Sequence, residues 1–508
     1  MSLNELKTAD KAISEILFCA QQLVDGAKRA AQQGDSFDSL ERNTWSTVRQ
    51  IGFAALELFI HLQGQGDLGS TAQIPEGHTL HRSAEPAACT IRSIFGRHAF
   101  QQYTYSPGAN KAIELRPIDA RMSLPEARWS YLLQEFSQLF CVDQAFGLAA
   151  QNMTTVFGGT FSVDTLESVN AQMGQDAERF LSDLPTPPAK EEGTVLVLSN
   201  DGKGVPLVRE DAAKVPAFET ANKRPGNRRM ASVASVYSVD RFERTAADVV
   251  AALFRDDRPT DEDLPKRPRP KFKHTTAHFA KQYPDGDQML TVSATHEAFG
   301  WAAGEIERRH QAGQPLVLLM DGQHSLWDTA ALHCFAGTLV EILDIVHVSS
   351  YVWSAAKLLE TERAKQLAFT RHRLTRILEG DVAGVVRGLR ATLTRRKLRG
   401  EPRKQLEGIC NYLAAHASRM RYDEYLSAGY PIASGVIEGA CRHLVKDRME
   451  RSGMRWTLEG ARNMLNVRAA FQSSYWDQFQ RSRIAKEQLD LHLHRDLLGD
   501  YTSLQLAA

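Results

Sequence analysis

Two apolar runs that each end in an Asp-Gly pair constrain the fold of this chain more than any other feature. The first, Thr194–Asn200, leads to Asp201, and the second, Pro315–Met320, leads to Asp321. Short apolar runs bounded by turn residues are typical of buried strands. Because aspartates at the carboxyl ends of adjacent strands converge at one edge of a sheet, we expect Asp201 and Asp321 to lie close together.

A third carboxylate, Glu438, follows a Ser434-Gly435 turn at the start of a helical pattern that becomes basic. A helix can bring such a carboxylate to the edge of a sheet. We interpret the cations and the tryptophan that follow it as a DNA-binding surface, made of Arg442, Lys446, Arg448, Arg451, Arg455 and Trp456. Lys and Arg side chains bind DNA through its phosphates.

Three converging carboxylates indicate a site for two divalent cations. Hard cations such as Mg²⁺ take oxygen ligands, and a pair of them stabilises the attacking and the leaving oxygen of a phosphodiester. An Asp-Gly pair after a strand is also a common turn, so neither Asp201 nor Asp321 indicates catalysis alone. The joint placement of Asp201, Asp321 and Glu438 is what predicts a metal site.

Length and composition bound the remaining possibilities. The 508 residues are enough for roughly three domains, and 61 basic residues balance 61 acidic residues, so nucleic-acid binding depends on local clusters of charge. Six cysteines include no C-x-x-C pair, and the N-terminus has no signal-peptide pattern. We therefore expect a cytoplasmic protein, and the resemblance described below implies a bacterial cell and association with the nucleoid.

The order of strand-like and helical patterns is that of an RNase H-like α/β catalytic core with a helical insertion, preceded by a mainly helical N-terminal region that contains a small β-rich segment. Within 123–184, Gln144–Met153 and Asp164–Met173 are consistent with either a helix-turn-helix or an ordinary helical hairpin. The predicted regions are 1–70 (helical), 71–122 (β-rich), 123–184 (helical), 193–353 (first part of the core), 354–428 (helical insertion) and 429–485 (glutamate helix and basic segment), with a linker at 185–192.

Four further residues are candidates for supporting the site. Asp344 and His347 form a D-x-x-H motif at the predicted end of a third strand, which fits either a group near the scissile phosphate or a hydrogen-bonded core histidine. His324 follows Asp321 closely and is a candidate wall residue. Trp353 opens a helical pattern and either stacks on an extruded base or belongs to the core.

These motifs together resemble a known family. The series Asp201-Gly, Asp321-Gly-x-x-x-Leu-Trp, Leu343-Asp-x-x-His, Ser434-Gly-Val-x-Glu-Gly-Ala-Cys-Arg and Arg448-Met-x-Arg-Ser-Gly-Met-Arg-Trp resembles the bacterial insertion-sequence transposases of the ISKra type. Those enzymes are similar to the Mutator-like DDE transposases. The resemblance covers roughly 85–480 and is most specific over 315–476.

The resemblance implies a D, D, E metal triad of Asp201, Asp321 and Glu438 that holds two Mg²⁺ or Mn²⁺ ions. The implied reaction is hydrolysis at transposon ends, followed by transfer of the liberated 3′-hydroxyl into target DNA. The implied partners are the inverted-repeat ends, target DNA and a second copy of the chain. Residues up to about 185 would recognise the ends.

The chain departs from the family pattern in the β-rich segment, which lacks the paired cysteines that members often carry, so we describe this segment as a degenerate form of a zinc ribbon. Glu210 and Asp211 are rivals to Asp201 as the first acid of the triad. Two other functions remain open: a catalytically inactive DNA-binding protein derived from a transposase, and an RNase H-like nuclease without strand transfer.

Overall fold

The computed structural model describes residues 9–74, 77–215, 226–256, 267–333, 335 and 338–498. It has nineteen α-helical segments and twelve strands in the described part of the chain. The helices are α1 (Ala9–Gln33), α2 (Phe37–His61), α3 (Pro117–Met122), α4 (Tyr131–Cys141), α5 (Phe146–Phe157), α6 (Val163–Ser182), α7 (Arg209–Lys214), α8 (Ala246–Phe254), α9 (Ala294–Arg309), α10 (His324–Ala331), α11 (Ile345–Leu359), α12 (Arg363–Leu378), α13 (Val382–Arg395), α14 (Gly400–Ala415), α15 (Tyr422–Ser427), α16 (Gly435–Ala440), α17 (Asp447–Met449), α18 (Leu458–Gln472) and α19 (Trp476–Leu491).

The strands divide between four sheets. They are β1 (Thr71–Gln73), β2 (Thr79–Arg82), β3 (Ala87–Arg92), β4 (Arg97–Gln102), β5 (Tyr105–Ser106), β6 (Val195–Pro206), β7 (Arg228–Val239), β8 (Lys271–His278), β9 (Lys281–Asp285), β10 (Gln288–Val292), β11 (Pro315–Met320) and β12 (Thr338–Leu343). No helix in the described ranges is both long enough and apolar enough to cross a membrane.

The chain forms two compact units, and their boundaries differ from the predicted regions. Unit 1 comprises 1–170 together with 477–508, and unit 2 comprises 171–476. The predicted boundary was the linker at 185–192, but its last residue, Glu192, is buried and accepts a 2.8 Å hydrogen bond from Arg309 on α9. This stretch therefore belongs to the body of unit 2.

Unit 1 contains the helical and β-rich elements that the sequence predicted before residue 123. Helices α1 and α2 form a hairpin, with Ser36 capping α2 through a hydrogen bond from the Ser39 amide. The β-rich segment holds a three-stranded antiparallel sheet, β1-β2-β5, and the β3-β4 hairpin. Ser162 caps α6, since its hydroxyl accepts from the Thr165 amide at 3.2 Å.

Unit 2 is built around a five-stranded mixed sheet in the order β12-β11-β6-β7-β8. Strand β7 is antiparallel to both neighbours, whereas β6, β11 and β12 run parallel to one another. The expectation of an α/β core is therefore confirmed at this level. Strand β8 and the β9-β10 hairpin did not stand out in the sequence.

Helices cover both faces of this sheet. Val195 and Val197 of β6 point into a core built with helices α11 to α15, whereas Leu196 and Leu198 point into a second core built with α9 and α10. This alternation follows from the two-residue period of a strand. The predicted helical insertion shares the first core with the sheet, so its helices are packed on the sheet through apolar side chains.

Candidate functional site

Three aspartates reach one edge of the central sheet at the same level. Leu198 of β6 pairs with Leu318 of β11, and Leu318 pairs with Glu341 of β12. Three residues further along each chain segment are Asp201, Asp321 and Asp344. Strands β11 and β12 end just before Asp321 and Asp344, whereas β6 continues through Asp201 to Pro206, which corrects the prediction that the first strand ends at Asp201. Because the three strands are parallel and hydrogen-bonded in this register, the three aspartates still reach neighbouring positions.

Asp201 interacts electrostatically with both other members of the predicted triad. Burial and then the negative charge of Asp321 raise the pKa of the Asp201 carboxyl, and Asp201 in turn contributes to raising the pKa of Glu438. The Cys441 thiol donates a hydrogen bond to the Asp201 carboxylate. Burial raises the pKa of that thiol, so Cys441 stays protonated and acts as a donor.

Asp321 sits on a turn that is fixed from both sides. Its Oδ1 accepts a 2.9 Å hydrogen bond from the Gln323 amide, and its carbonyl oxygen accepts a 2.7 Å bond from the buried indole of Trp327. This turn leads into α10, and its two hydrogen bonds fix the backbone and one carboxylate oxygen of Asp321.

Asp344 is buried and connects three segments of the chain through its hydrogen bonds. Its position also corrects the prediction that the D-x-x-H motif ends a strand. Strand β12 ends at Leu343, and Asp344 caps α11 by accepting from the Val346 amide at 3.1 Å. Its oxygens also accept from the amide and the hydroxyl of Ser434, at 3.1 and 2.7 Å. Ser434 immediately precedes α16, so Asp344 holds the start of the helix that carries Glu438.

His347 lies one turn into α11 and is oriented by the same carboxylate. Its Nδ1 is 2.8 Å from Asp344 Oδ2, and its side chain is 40% exposed. This hydrogen bond is the largest cause that raises the pKa of His347, and the negative charges of Asp344, Asp321 and Asp201 add to it. Because Nδ1 is taken by Asp344, Nε2 is the ring nitrogen that remains for other groups.

Burial raises the pKa of Asp344, but the hydrogen bonds from His347 and Ser434 outweigh it and hold the pKa below its ordinary value. Asp344 is therefore ionised at neutral pH. Its two oxygens accept four hydrogen bonds in total, two each. A carboxylate has about four lone-pair positions, so this one has no position left for a further ligand.

Glu438 lies on α16, a helix of six residues that continues into a π-helical stretch, Cys441–Lys446. The Glu438 side chain is exposed at the site, and its pKa is raised by partial burial and by the charges of Asp344 and Asp201. One potential ligand atom from each of Asp344, His347 and Glu438 lies within 4.8 Å of the others. This is the one such group of metal-ligating side chains among the residues that the structure describes.

The donor set at this edge fits a divalent cation. Burial is the largest cause that raises the pKa values of Asp201 and Glu438, and the charges of neighbouring carboxylates add to it; a bound cation would offset both effects. Asp344, His347 and Glu438 are the side chains whose potential ligand atoms lie within 4.8 Å of one another in the described part of the chain, and Asp201 and Asp321 lie at the same edge of the sheet. The oxygens of Asp344 already accept four hydrogen bonds, so Asp344 acts on the site through His347 and Ser434.

The rival first acids lie in other environments. Asp211 accepts hydrogen bonds from Lys214 at 2.7 Å and from the Leu458 amide at 2.7 Å, so it joins α7 to the start of α18. Glu210 is exposed on α7. Of the three acids, Asp201 is the one whose pKa the charge of Asp321 raises.

A cleft lined by aromatic residues adjoins the Asp321 turn. The rings of Tyr351 and Tyr412 stack with centroids 3.8 Å apart, and His324 stacks on His416 at 4.9 Å. The Tyr412 ring lies against Gly322, directly after the catalytic candidate Asp321. The cleft has a volume of about 870 Å³ and also contains Lys357, Gln405 and Asn411.

His324 lines this cleft, whereas Trp353 makes its contacts elsewhere. The Trp353 ring packs on Phe254 of α8 at 6.0 Å, and the guanidinium of Arg363 lies 4.5 Å above it. Through these contacts Trp353 joins α8 to α11 and α12.

The predicted DNA-binding residues separate into two groups. Arg442, Lys446, Arg451 and Arg455 are exposed. Arg448 and Trp456 are buried, with the guanidinium 4.7 Å above the indole ring, and backbone hydrogen bonds join Trp456 to Pro206 and Val208 at the end of β6. Arg448 and Trp456 thus hold the basic segment to the sheet, and their side chains do not form part of its surface.

Sequence reasoning missed three side chains that shape this site. Ser434 was noted as a turn residue, and Cys441 was noted as part of the family motif, but neither was assigned a contact with Asp344 or Asp201. Tyr412 carries no local signal, because its place beside Gly322 depends on how α14 packs on the sheet.

Comparison with known proteins does not identify a family for this chain. No protein-family model matches the chain, and no curated protein matches it.

Proposed function

We propose that this protein is a metal-dependent DNA transposase of the DDE type, which cuts DNA at the ends of its element and joins the liberated 3′-hydroxyls to target DNA. The observation that carries the proposal is that the register of β6, β11 and β12 brings Asp201, Asp321 and Asp344 to neighbouring positions at one edge of the central sheet, where potential ligand atoms of Asp344, His347 and Glu438 lie within 4.8 Å of one another. The sequence motifs that place these acids support the same class.

The architecture of unit 2 supports an RNase H-like core. Such a core requires a mixed sheet whose parallel strands bring acids to a common edge, with a later helix supplying a further carboxylate. Here β7 is antiparallel between β6 and β8, β11 and β12 are parallel to β6, and α11 to α15 separate β12 from the Glu438 helix.

Asp201 and Asp321 would hold two Mg²⁺ or Mn²⁺ ions between them, and Glu438 would complete the ligands of one. When bound, such ions neutralise charge on the phosphodiester and lower the pKa of an attacking water. Cys441 orients the Asp201 carboxylate by its hydrogen bond. Asp344 and Ser434 fix the start of the helix that carries Glu438.

His347 supplies a proton donor next to the acids. Asp344 fixes the ring and raises its pKa, so a larger fraction of His347 is protonated at neutral pH than of a free histidine. A protonated Nε2 can donate to a non-bridging oxygen of the scissile phosphate or to the leaving oxygen. This role requires the orientation that Asp344 imposes.

The surroundings of the acid edge suit a DNA strand. Arg442, Lys446, Arg451 and Arg455 are exposed on the segment that follows Glu438, and each can bind a phosphate. The cleft between α11 and α14 offers tyrosine and histidine rings with Lys357, a combination that suits unpaired nucleotides.

The test uses DNA that carries the sequences flanking the coding region of this chain in its natural replicon. We expect wild-type protein to nick this DNA in Mg²⁺ or Mn²⁺ and to join a pre-cut end with a 3′-hydroxyl to a target plasmid. Asp321→Asn should abolish both activities and retain DNA binding.

Two results would contradict the proposal. Cleavage without joining of the pre-cut end would favour a nuclease without strand transfer. Binding of the ends by wild-type protein without cleavage in either metal would favour an inactive, transposase-derived DNA-binding protein.

A further inference from the structure

Helix α1 packs on α2 through a row of small and apolar side chains. The members of this row recur at alternating spacings of four and three residues, which place side chains along one stripe of a helix. They are buried or partly buried, and they are Ala12, Ile16, Cys19, Leu23, Gly26 and Ala30.

A second apolar row runs beside the first and is exposed over its whole length. Its members have the same alternating spacing of four and three residues and occupy the a and d positions of a heptad pattern. They are Ile13, Leu17, Ala20, Val24, Ala27 and Ala31. Ile13 is 44% exposed, Leu17 65% and Val24 48%, so large apolar side chains face solvent along a helix of 25 residues.

We propose that this exposed row, Ile13 to Ala31, is the surface through which two copies of the chain associate, with their α1 helices antiparallel. The sizes of the side chains select this arrangement. The larger residues lie in the first half of the row, or at Val24, and alanines occupy the positions that an antiparallel copy brings opposite them.

Full-length antiparallel overlap places Ile13 opposite Ala31, Leu17 opposite Ala27 and Ala20 opposite Val24 of the second copy. Each layer then contains one larger residue and one alanine, so the two helices lie at an even distance along their length. A parallel pair would place Ile13 and Leu17 against themselves at one end and alanines against alanines at the other.

Charge favours the same direction. Asp10, Lys11 and Glu15 give the first part of α1 a net charge of −1, and Asp25, Lys28 and Arg29 give the last part a net charge of +1. An antiparallel pair brings these opposite ends together, and it also opposes the helix dipoles. A parallel pair would bring like ends together.

This inference does not rest on the chemistry of the acid edge, since α1 belongs to unit 1. It supplies the partner that joining two DNA ends requires, and it stands as a property of the full chain if the catalytic proposal fails.

The first experiment measures the mass of the full-length protein by light scattering and analytical ultracentrifugation. We expect a dimer at micromolar concentration for the wild type and a monomer for Leu17→Glu, because a buried glutamate in the seam is strongly unfavourable. Leu489→Glu is the matched control: Leu489 is 72% exposed on α19, and this variant should stay dimeric.

The second experiment tests the direction of the pair by disulfide formation. We expect a mixture of Leu17→Cys and Ala27→Cys to form a covalent dimer of the two different variants, and each variant alone to form little. Strong cross-linking of either variant with itself would overturn the antiparallel arrangement. A monomeric wild type, or a Leu17→Glu protein that remains dimeric with unchanged circular dichroism, would overturn the proposed surface.

Discussion

Asp344 is a carboxylate at the candidate metal site that we do not propose as a ligand. Its position next to His347 and Glu438 would suit a ligand by distance alone. The four hydrogen bonds that its oxygens accept argue against that role, because a metal ion would have to displace a backbone amide, the Ser434 hydroxyl or His347. Asp344 therefore lies close to His347 and Glu438, but its oxygens are already occupied by hydrogen bonds.

Replacing Asp344 distinguishes a structural role of this carboxylate from a role as a metal ligand. Asp344→Asn removes the charge that its donors stabilise and places an amide against His347 and the Ser434 hydroxyl, so we expect the free energy of unfolding to fall by about 2–3 kcal/mol. Affinity for Mn²⁺, measured by titration calorimetry, should stay within a few-fold of the wild type. Asp321→Asn, in contrast, should lose Mn²⁺ binding. Equal loss in the two variants would make Asp344 a ligand.

Gly322 is a position where the absence of a Cβ atom lets the Tyr412 ring pack against the Asp321 turn. A Cβ atom there would lie 2.3 Å from Tyr412 Oη and 2.4 Å from a carbon of the same ring, which is itself stacked on Tyr351. Gly322→Ala must therefore displace either the ring or the Asp321 turn. We expect a loss of about 1–3 kcal/mol in the free energy of unfolding, together with reduced cleavage.

Gly388→Ala is the control for that substitution. Gly388 lies on α13, and no atom lies within 4 Å of the position that a Cβ atom would take there, so alanine should raise the free energy of unfolding by about 0.5–1 kcal/mol. If Gly322→Ala behaves like Gly388→Ala in denaturant unfolding, the close packing of Tyr412 on the turn is wrong.

At the scale of elements, α16 depends on its neighbours. A helix of six residues is too short to be stable alone, and α16 is held by the Ser434–Asp344 hydrogen bonds and by the backbone bond between Ile345 and Ile432. The π-helical stretch that follows it brings Cys441 to Asp201. The position of Glu438 therefore follows from contacts made on either side of its own helix.

The end of strand β8 carries a histidine whose protonation is linked to the stability of unit 2. Burial is the main cause that lowers the pKa of His278 from 6.5 to about 4. The positive charges of Lys281 and Arg462 lower it further, and the negative charge of Glu178 opposes them. Between these values the unfolded chain binds a proton that the folded chain does not bind. Stability from this group is therefore lost as the pH falls from 6.5 towards 4.

We expect His278→Gln to remove that part of the pH dependence. Between about pH 7 and pH 5, the free energy of unfolding of the variant should fall by about 1–2 kcal/mol less than that of the wild type. His372→Gln, which removes an exposed histidine on α12, should follow the wild type. Denaturant titrations at the two pH values measure the difference, and parallel losses in all three proteins would exclude His278 as the cause.

At the scale of the whole molecule, the sequence predicted those features of the fold and the site that depend on a local residue pattern. The apolar runs before Asp201 and Asp321, and the Ser-Gly turn before Glu438, locate the acids, because strand ends and helix starts have local signals. The α/β character of unit 2 follows from the same patterns. The two rows on α1 are also visible as spacings, although only the structure tells the exposed row from the packed one.

What could not be predicted depends on contacts between distant segments. Arg448 looks like a surface cation, but the Trp456 ring and the end of β6 bury it. Glu192 ends a proline-containing stretch that looks like a linker, yet its ion pair with Arg309 places it in unit 2. The grouping of residues after 476 with unit 1 has no local signal at all.

The most direct test of the central claim is single-turnover cleavage of the element-end DNA in Mg²⁺ by wild-type protein and by Glu438→Gln, with DNA binding measured in parallel. Glu459→Gln, an exposed glutamate on α18, is the matched control. The account predicts that Glu438→Gln loses about a thousandfold or more of the rate while it binds DNA normally, and that Glu459→Gln cuts like the wild type. Cleavage by Glu438→Gln at the wild-type rate would contradict the metal triad.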